Sequence, residues 1–153
     1  MMEKVLTIPR SVLEETFPLK GLSLAPDAVI DLLDHEKAAF VDRDMAEADG
    51  TLKQFVAQVM IVRGDDICVH WRNSEGTELH EKMSATVGGH INEGDLHYTA
   101  ALARMKKRRG LGLNFYAWRR AVIRELEEEV SILGLGNLLP PLYTIGTLND
   151  ERL

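Results

Sequence analysis

An α+β domain is what the sequence predicts, and three observations predict it. Runs rich in β-branched residues, at 55–63 and 67–72, are bounded by glycine and aspartate turns. Other stretches, above all 118–133, repeat their apolar residues at the helical spacing. The chain of 153 residues is 45% hydrophobic and 27% charged, the composition of one globular domain with a core of its own.

From the N-terminus, residues 5–8 read as a short strand stopped by Pro9. Ser11 followed by Glu14 has the spacing of a capping box and predicts a short helix ending near Pro18. Residues 27–40 carry Val29, Ile30, Leu32, Leu33 and Phe40 between acids, behind Pro26, and predict a second helix. No motif in this part carries chemistry. The expectation is an N-terminal extension over 1–50 that packs on, or dimerises with, a domain over 51–153.

Residues 55–63 and 67–72 predict a hairpin around Gly64-Asp65-Asp66. Cys68, the single cysteine, falls mid-strand and is expected in the core; alone it excludes an intrachain disulfide and fits a reducing cytosol. Residues 83–87 lead as a strand into Gly88-Gly89, a pair that lets the backbone approach a ligand closely. A helix is predicted over about 97–109, capped by Asp95 and closed by Gly110, inside a helical insertion at about 96–115. Its basic end, Lys106 to Arg109, complements the helix dipole as well as it would a phosphate. Asn114 is the expected N-cap of the next helix, and residues 142–148, after Pro140-Pro141, read as a strand.

A net charge of −6 gives the whole molecule no attraction for nucleic acid or an anionic membrane. No stretch approaches the roughly 18 apolar residues of a membrane span, and the first residues lack the apolar core of a secretory signal. A cytoplasmic protein with neither membrane nor nucleic-acid partner is expected.

Chemistry is concentrated in residues 124–132. At about 100° per residue, Trp118, Val122, Leu126, Val130 and Leu133 fall in one apolar stripe, with Glu129 inside it, Glu125 and Glu128 on its flank and Glu127 elsewhere. Like charges at this spacing cost a helix roughly 0.2–0.5 kcal/mol per pair, and Gly134 and Gly136 place the negative end of the helix dipole nearby. A divalent cation held by these oxygens would remove both penalties. The alternative is a solvated acidic face, against which the place of Glu129 in the stripe counts.

These residues resemble the Nudix box, whose family pattern is G-x5-E-x7-R-E-U-x-E-E-x-G-U with U a bulky aliphatic. Arg124, Glu125, Leu126, Glu128, Glu129 and Ile132 match its helical half, and Gly89, in Gly88-Gly89-His90-Ile91-Asn92-Glu93-Gly94-Asp95, matches the glycine that opens it. Asp95 stands where the pattern has glutamate, Ser131 replaces the later glycine, and 28 residues separate Asp95 from Arg124 where the pattern has 7. The resemblance implies an α/β/α sandwich around a central mixed sheet, of which this chain would be a C-terminally shortened member.

It also implies a Mg²⁺- or Mn²⁺-dependent hydrolase that cleaves a phosphoanhydride bond in a nucleoside diphosphate linked to another moiety. Glu125, Glu128 and Glu129 would hold the metal, and Glu125, oriented by Arg124, would stand nearest the base role. Gly88, Gly89, His90 and Asp95 would meet the substrate, with Glu93 a further candidate ligand; from its own residues His90 reads first as a hydrogen-bonded strand residue and only then as a phosphate contact. The departures from the pattern favour an alternative, a Nudix-fold binding or regulatory module without turnover. An isopentenyl diphosphate isomerase-like activity would need a cysteine in an active-site loop, and Cys68 lies mid-strand. A homodimer through the extension or an uncovered sheet face is expected.

Overall fold

The computed structural model describes residues 3–17, 21–23, 26–71, 83–96, 112–129 and 147–149, with 21–23, 26 and 147–149 described by backbone alone. Its first strand, β1 (Lys4–Pro9), lies in the middle of a three-stranded antiparallel sheet between β3 (Ala39–Asp42) and β4 (Leu52–Gln54). Val5, Leu6, Thr7 and Ile8 are all buried, the pattern of a strand covered on both faces, and Thr7 donates its hydroxyl to the Ala39 carbonyl. Leu6 joins one apolar cluster and Ile8 a second, with Phe55 packed against both.

Helix α1 (Arg10–Thr16) follows Pro9 directly and places Val12 and Leu13 in the second cluster. Ser11 lies inside this helix and no side chain caps it, so the expected capping box does not form. Pro9 occupies the cap position with extended backbone, and the Arg10 N–H is satisfied instead by the Thr51 carbonyl at 2.8 Å. Helix α2 (Pro26–Leu33) ends seven residues short of the expected Phe40. A turn in which His35 accepts from Ala38 and from Lys37 redirects the chain, and Phe40 enters β3 opposite Leu6. A short helix, α3 (Arg43–Ala48), links β3 to β4. Strand β2 (Gly21–Ser23) pairs with β11 (Thr147–Asn149), which overlaps the end of the strand expected at 142–148; residues 142–146 and the predicted 97–109 helix lie outside the described residues.

The expected long strand at 55–63 is broken into β5 (Val56–Val59) and β6 (Val62–Arg63). The hairpin itself is present: β6 pairs with β7 (Asp66–Ile67) around Gly64, whose φ of 62° lies in the left-handed region that glycine adopts without cost. Strand β8 (His70–Trp71) continues it and pairs with β9 (Met83–Ser84). The ribbon stands away from the core, with Val62, Ile67, Val69, Trp71 and Met83 all exposed. Cys68 is therefore exposed too, contrary to its expected place in the core.

Strand β10 (Val87–His90) pairs antiparallel with β5, Gly88 opposite Gln58 and Gly89 opposite Ala57. Three main-chain hydrogen bonds then close a ring: Leu6 N–H to the Ile91 carbonyl, Ile91 N–H to Phe55, and Phe55 N–H back to Leu6, at 2.9, 3.4 and 2.9 Å. All described pairings are antiparallel, so the parallel component of the expected mixed sheet is not seen among the described residues, whereas the α+β class is. Across β10 and β5 lies helix α4 (Leu113–Glu129). Ala117 and Ala121 are fully buried in the cluster with Ala57 and Leu6, and small residues on both surfaces let helix and strands approach closely. None of the described helices is long and apolar enough to cross a membrane.

Candidate active site between β10 and α4

Glu125 is one of three buried polar or charged residues among those described, at 8% exposure. Its place depends on Gly89: a Cβ built there would run into the Glu125 carboxylate, all three atoms of which lie within 2.7 Å of that point. The paired glycines were expected in a loop; they are strand residues, and Gly89 supplies the recess in which the acid rests. Gly88 is pressed against the Ala57 backbone on the neighbouring strand and does not face the carboxylates.

Arg124 gathers the surrounding groups. Its Nη1 donates to Glu125 Oε1 at 2.6 Å and to Glu128 Oε2 at 3.3 Å, so both carboxylates converge on one nitrogen. Its Nε and Nη2 donate as a fork to Asp95 at 3.1 and 3.2 Å, and Nη2 also reaches the His90 carbonyl at 2.9 Å. Burial alone pulls the guanidinium pKa down, but Asp95, by hydrogen bond and charge, and then Glu125 outweigh it and hold Arg124 above its ordinary value. The cation is locked in.

Asp95 is 3% exposed, and its carboxylate is taken up by Arg124 and by the Asn92 N–H at 2.9 Å. It lies within a helical turn over 93–96 and holds the arginine, and the helix that it was expected to cap lies outside the described residues. The shorter aspartate suffices because Arg124 reaches it across 28 intervening residues, so the insertion does not separate the two halves of the motif. His90 gives the site its carbonyl, while its half-buried imidazole faces a different cluster, Glu3, Arg43 and Glu47. There Arg43 bridges Glu47 at 2.8 Å and Glu3 at 3.0 Å. Desolvation first, then the Arg43 charge, lower the His90 pKa. Glu93 turns to Lys4 at 3.9 Å.

Glu129 does not lie in the buried stripe. It is exposed, as Glu127 and Glu128 are, while Val122 and Leu126 are buried and Trp118 packs against the cluster. Leu126 is the last buried residue of α4 among those described, and Glu127, Glu128 and Glu129 after it are exposed. Among the described residues, no three of His, Cys, Asp and Glu are grouped as metal ligands. The donor set nonetheless fits a hard cation: Glu125 and Glu128 offer carboxylate oxygens at one point, now held by Arg124, with Glu129 one residue further.

The first turn of α4 is held by Asp34, a residue that sequence reasoning did not single out. Asp34, just past α2, accepts the N–H groups of Gly112 at 2.9 Å and Asn114 at 3.1 Å. Asn114, expected as the N-cap, is already inside the helix and donates its side-chain amide to the Leu33 carbonyl at 2.7 Å. The cap comes from 80 residues away, beyond any local signal.

Among solved structures the fold is similar to that of Tm1382, a protein described as a candidate Nudix hydrolase, with a TM-score of 0.69 and 24% identity. The match covers 96% of this chain and 66% of that one, so the chain spans just under two thirds of its length. No family model matches the chain, and no curated protein matches it in sequence. The chain has a Nudix-like α+β fold.

Proposed function

We propose that this Nudix-like chain is a hydrolase that cleaves a phosphoanhydride bond in a nucleoside diphosphate linked to another moiety, with Mg²⁺ or Mn²⁺ as cofactor. The observation that carries the reading is the Gly89 recess, which receives Glu125 from a helix 21 residues further along the chain than the family pattern puts it. Gly89 and Glu125 are 36 positions apart in the chain and stand against each other across β10 and α4.

Glu125 and Glu128, with Glu129 beside them, are the residues that would hold the metal. When bound, it would neutralise the two phosphates and acidify the attacking water. Arg124 fixes the Glu125 rotamer, Asp95 fixes Arg124, and β10 supplies a floor of bare backbone. Glu125 is the residue closest to the base role, and catalysis rests mainly on positioning and charge stabilisation. The substrate is a small molecule. A cytoplasmic location fits the single cysteine, and a homodimer fits the exposed apolar face of the β6–β9 ribbon.

The test is calorimetric titration of Mn²⁺ into the wild type and into Glu125→Gln, Glu128→Gln and Glu129→Gln, beside phosphate release from a panel of nucleoside diphosphate conjugates. Saturable binding lost in the variants, with metal-dependent release, is expected. A second reading, a ligand-binding module without turnover, is favoured by the Arg124 nitrogen that already occupies the point between Glu125 and Glu128. Conjugate binding without metal uptake or phosphate release would establish it.

A further inference from the structure

We propose that Asp34 is a positioning residue for the acidic edge of α4: by holding the first turn of that helix it sets where Glu125 and Glu128 stand along β10. The inference rests on the hydrolase reading for its functional consequence, although the clasp itself does not depend on it.

The first four N–H groups of a helix have no partner within it. Asp34 takes up two N–H groups at the head of α4, those of Gly112 and Asn114, one on each carboxylate oxygen. Asn114 returns a bond to the Leu33 carbonyl, in the last turn of α2 where carbonyls are likewise orphaned. Three hydrogen bonds therefore tie the tail of one helix to the head of another, and the negative carboxylate sits at the positive end of the α4 dipole. A Cβ at Gly112 would meet the same carboxylate, so the fit is close. Leu33 is itself 2% exposed in the cluster that contains Ala117 and Ala121, which anchors the clasp to the core.

Such a clasp has work to do because of the insertion. In the family pattern a tether of 7 residues joins the loop acid to the arginine; here it is 28, and a longer tether fixes its far end less well. A slip of one residue along α4 would move Glu125 by about 1.5 Å and turn it by about 100°, out of the Gly89 recess. Asp34 opposes that slip from the N-terminal side, and Asp95 on Arg124 opposes it from the other.

The experiment compares Asp34→Ala and Asp34→Asn with Val12→Ala, a core variant in the other apolar cluster that lowers stability without touching α4. Three readouts apply: thermal midpoint, Mn²⁺ affinity by calorimetry, and the NMR signal of the Arg124 Nε–H, which is protected by Asp95. For Asp34→Ala we expect the Arg124 signal to shift or vanish and Mn²⁺ affinity to fall several-fold. On an active wild type, kcat should fall by ~10-fold or more with KM nearly unchanged, since small misplacements of catalytic groups are costly. Asp34→Asn, which keeps one carbonyl acceptor, should lie between, and Val12→Ala should lower only the thermal midpoint. If Asp34→Ala lowers the midpoint but leaves the Arg124 signal as in the wild type, Asp34 is an ordinary cap and the proposal is overturned. A wild type that takes up no Mn²⁺ and hydrolyses nothing defeats the hydrolase reading, while the Arg124 signal still decides the role of Asp34.

Discussion

Gly89→Ala places a methyl group inside the volume of the Glu125 carboxylate. Glu125 is long enough to swing away, so the cost is not a rigid clash but the loss of what holds it: the 2.6 Å bond from Arg124 Nη1. A hydrogen bond between charged, largely buried partners contributes about 1.5–3 kcal/mol. An alanine in place of a strand glycine gives back roughly 0.5–1 kcal/mol of backbone entropy. The net expectation is a loss of about 1–2 kcal/mol, which for a domain of this size lowers the midpoint by about 2–8 °C. The assay is a double-mutant cycle in urea with Glu125→Ala. Once the carboxylate is gone the new methyl has nothing to displace, so Gly89→Ala should be stabilising by its backbone-entropy gain in that background, with a coupling of about 1.5–3 kcal/mol between the two sites, the energy of the lost bond. Equal destabilisation in both backgrounds would refute the recess.

Asp95→Asn removes the carboxylate that takes the Arg124 fork, leaving Glu125 and Glu128 as counter-charges, and should cost about 1.5–3 kcal/mol in urea unfolding; a loss below 1 kcal/mol would mean that water replaces the pair. Arg124→Lys keeps the charge but cannot reach Asp95, His90, Glu125 and Glu128 at once, so activity should fall at least tenfold and a lysine of wild-type activity would count against the hub. The His90 pKa is depressed in the folded state, so the stability tied to its neutral form is complete above its ordinary value of 6.5 and is lost as pH falls through the lower folded value. Glu3, lowered by its bond from Arg43, adds a loss that sets in further down, below its ordinary 4.5. Urea midpoints at pH 7.5 and 5.5 should differ less in His90→Gln than in the wild type.

What the sequence made legible follows from how local each signal is. The α4 helix, the hairpin turn at Gly64 and the strand leading into Gly88-Gly89 are announced by their own residues. The end of α2 is not: Leu33 and Phe40 both need burial, and only the β1 partner Leu6 shows that Phe40 finds it in a strand. The caps failed for a related reason. Ser11 and Asn114 have capping chemistry, but each helix begins one residue ahead of them, and the leading N–H groups of Arg10, Gly112 and Asn114 go to Thr51 and Asp34, far away in sequence. Cys68 and Glu129 were misplaced because a periodic pattern says which residues share a face and not how far the covering surface extends. The link of Arg124 to Glu125, by contrast, was implied by the resemblance and is present, whereas the hold of Asp95 on Arg124 was not foreseen.

The ring of main-chain bonds among Leu6, Phe55 and Ile91 has a consequence for the order in which the molecule is made. The strand at residues 4–9 leaves the ribosome ahead of its partners, and the bonds of Leu6 to that ring need residues synthesised about fifty and eighty-five positions later. Pairings of that sequence separation are slow to form. The strand can pair with β3 and β4 once residue 54 has emerged, but the Leu6 N–H has no partner until Ile91 arrives. Closure of the ring is thereby deferred until the glycine strand has emerged, and the floor of the candidate active site is completed in the same event.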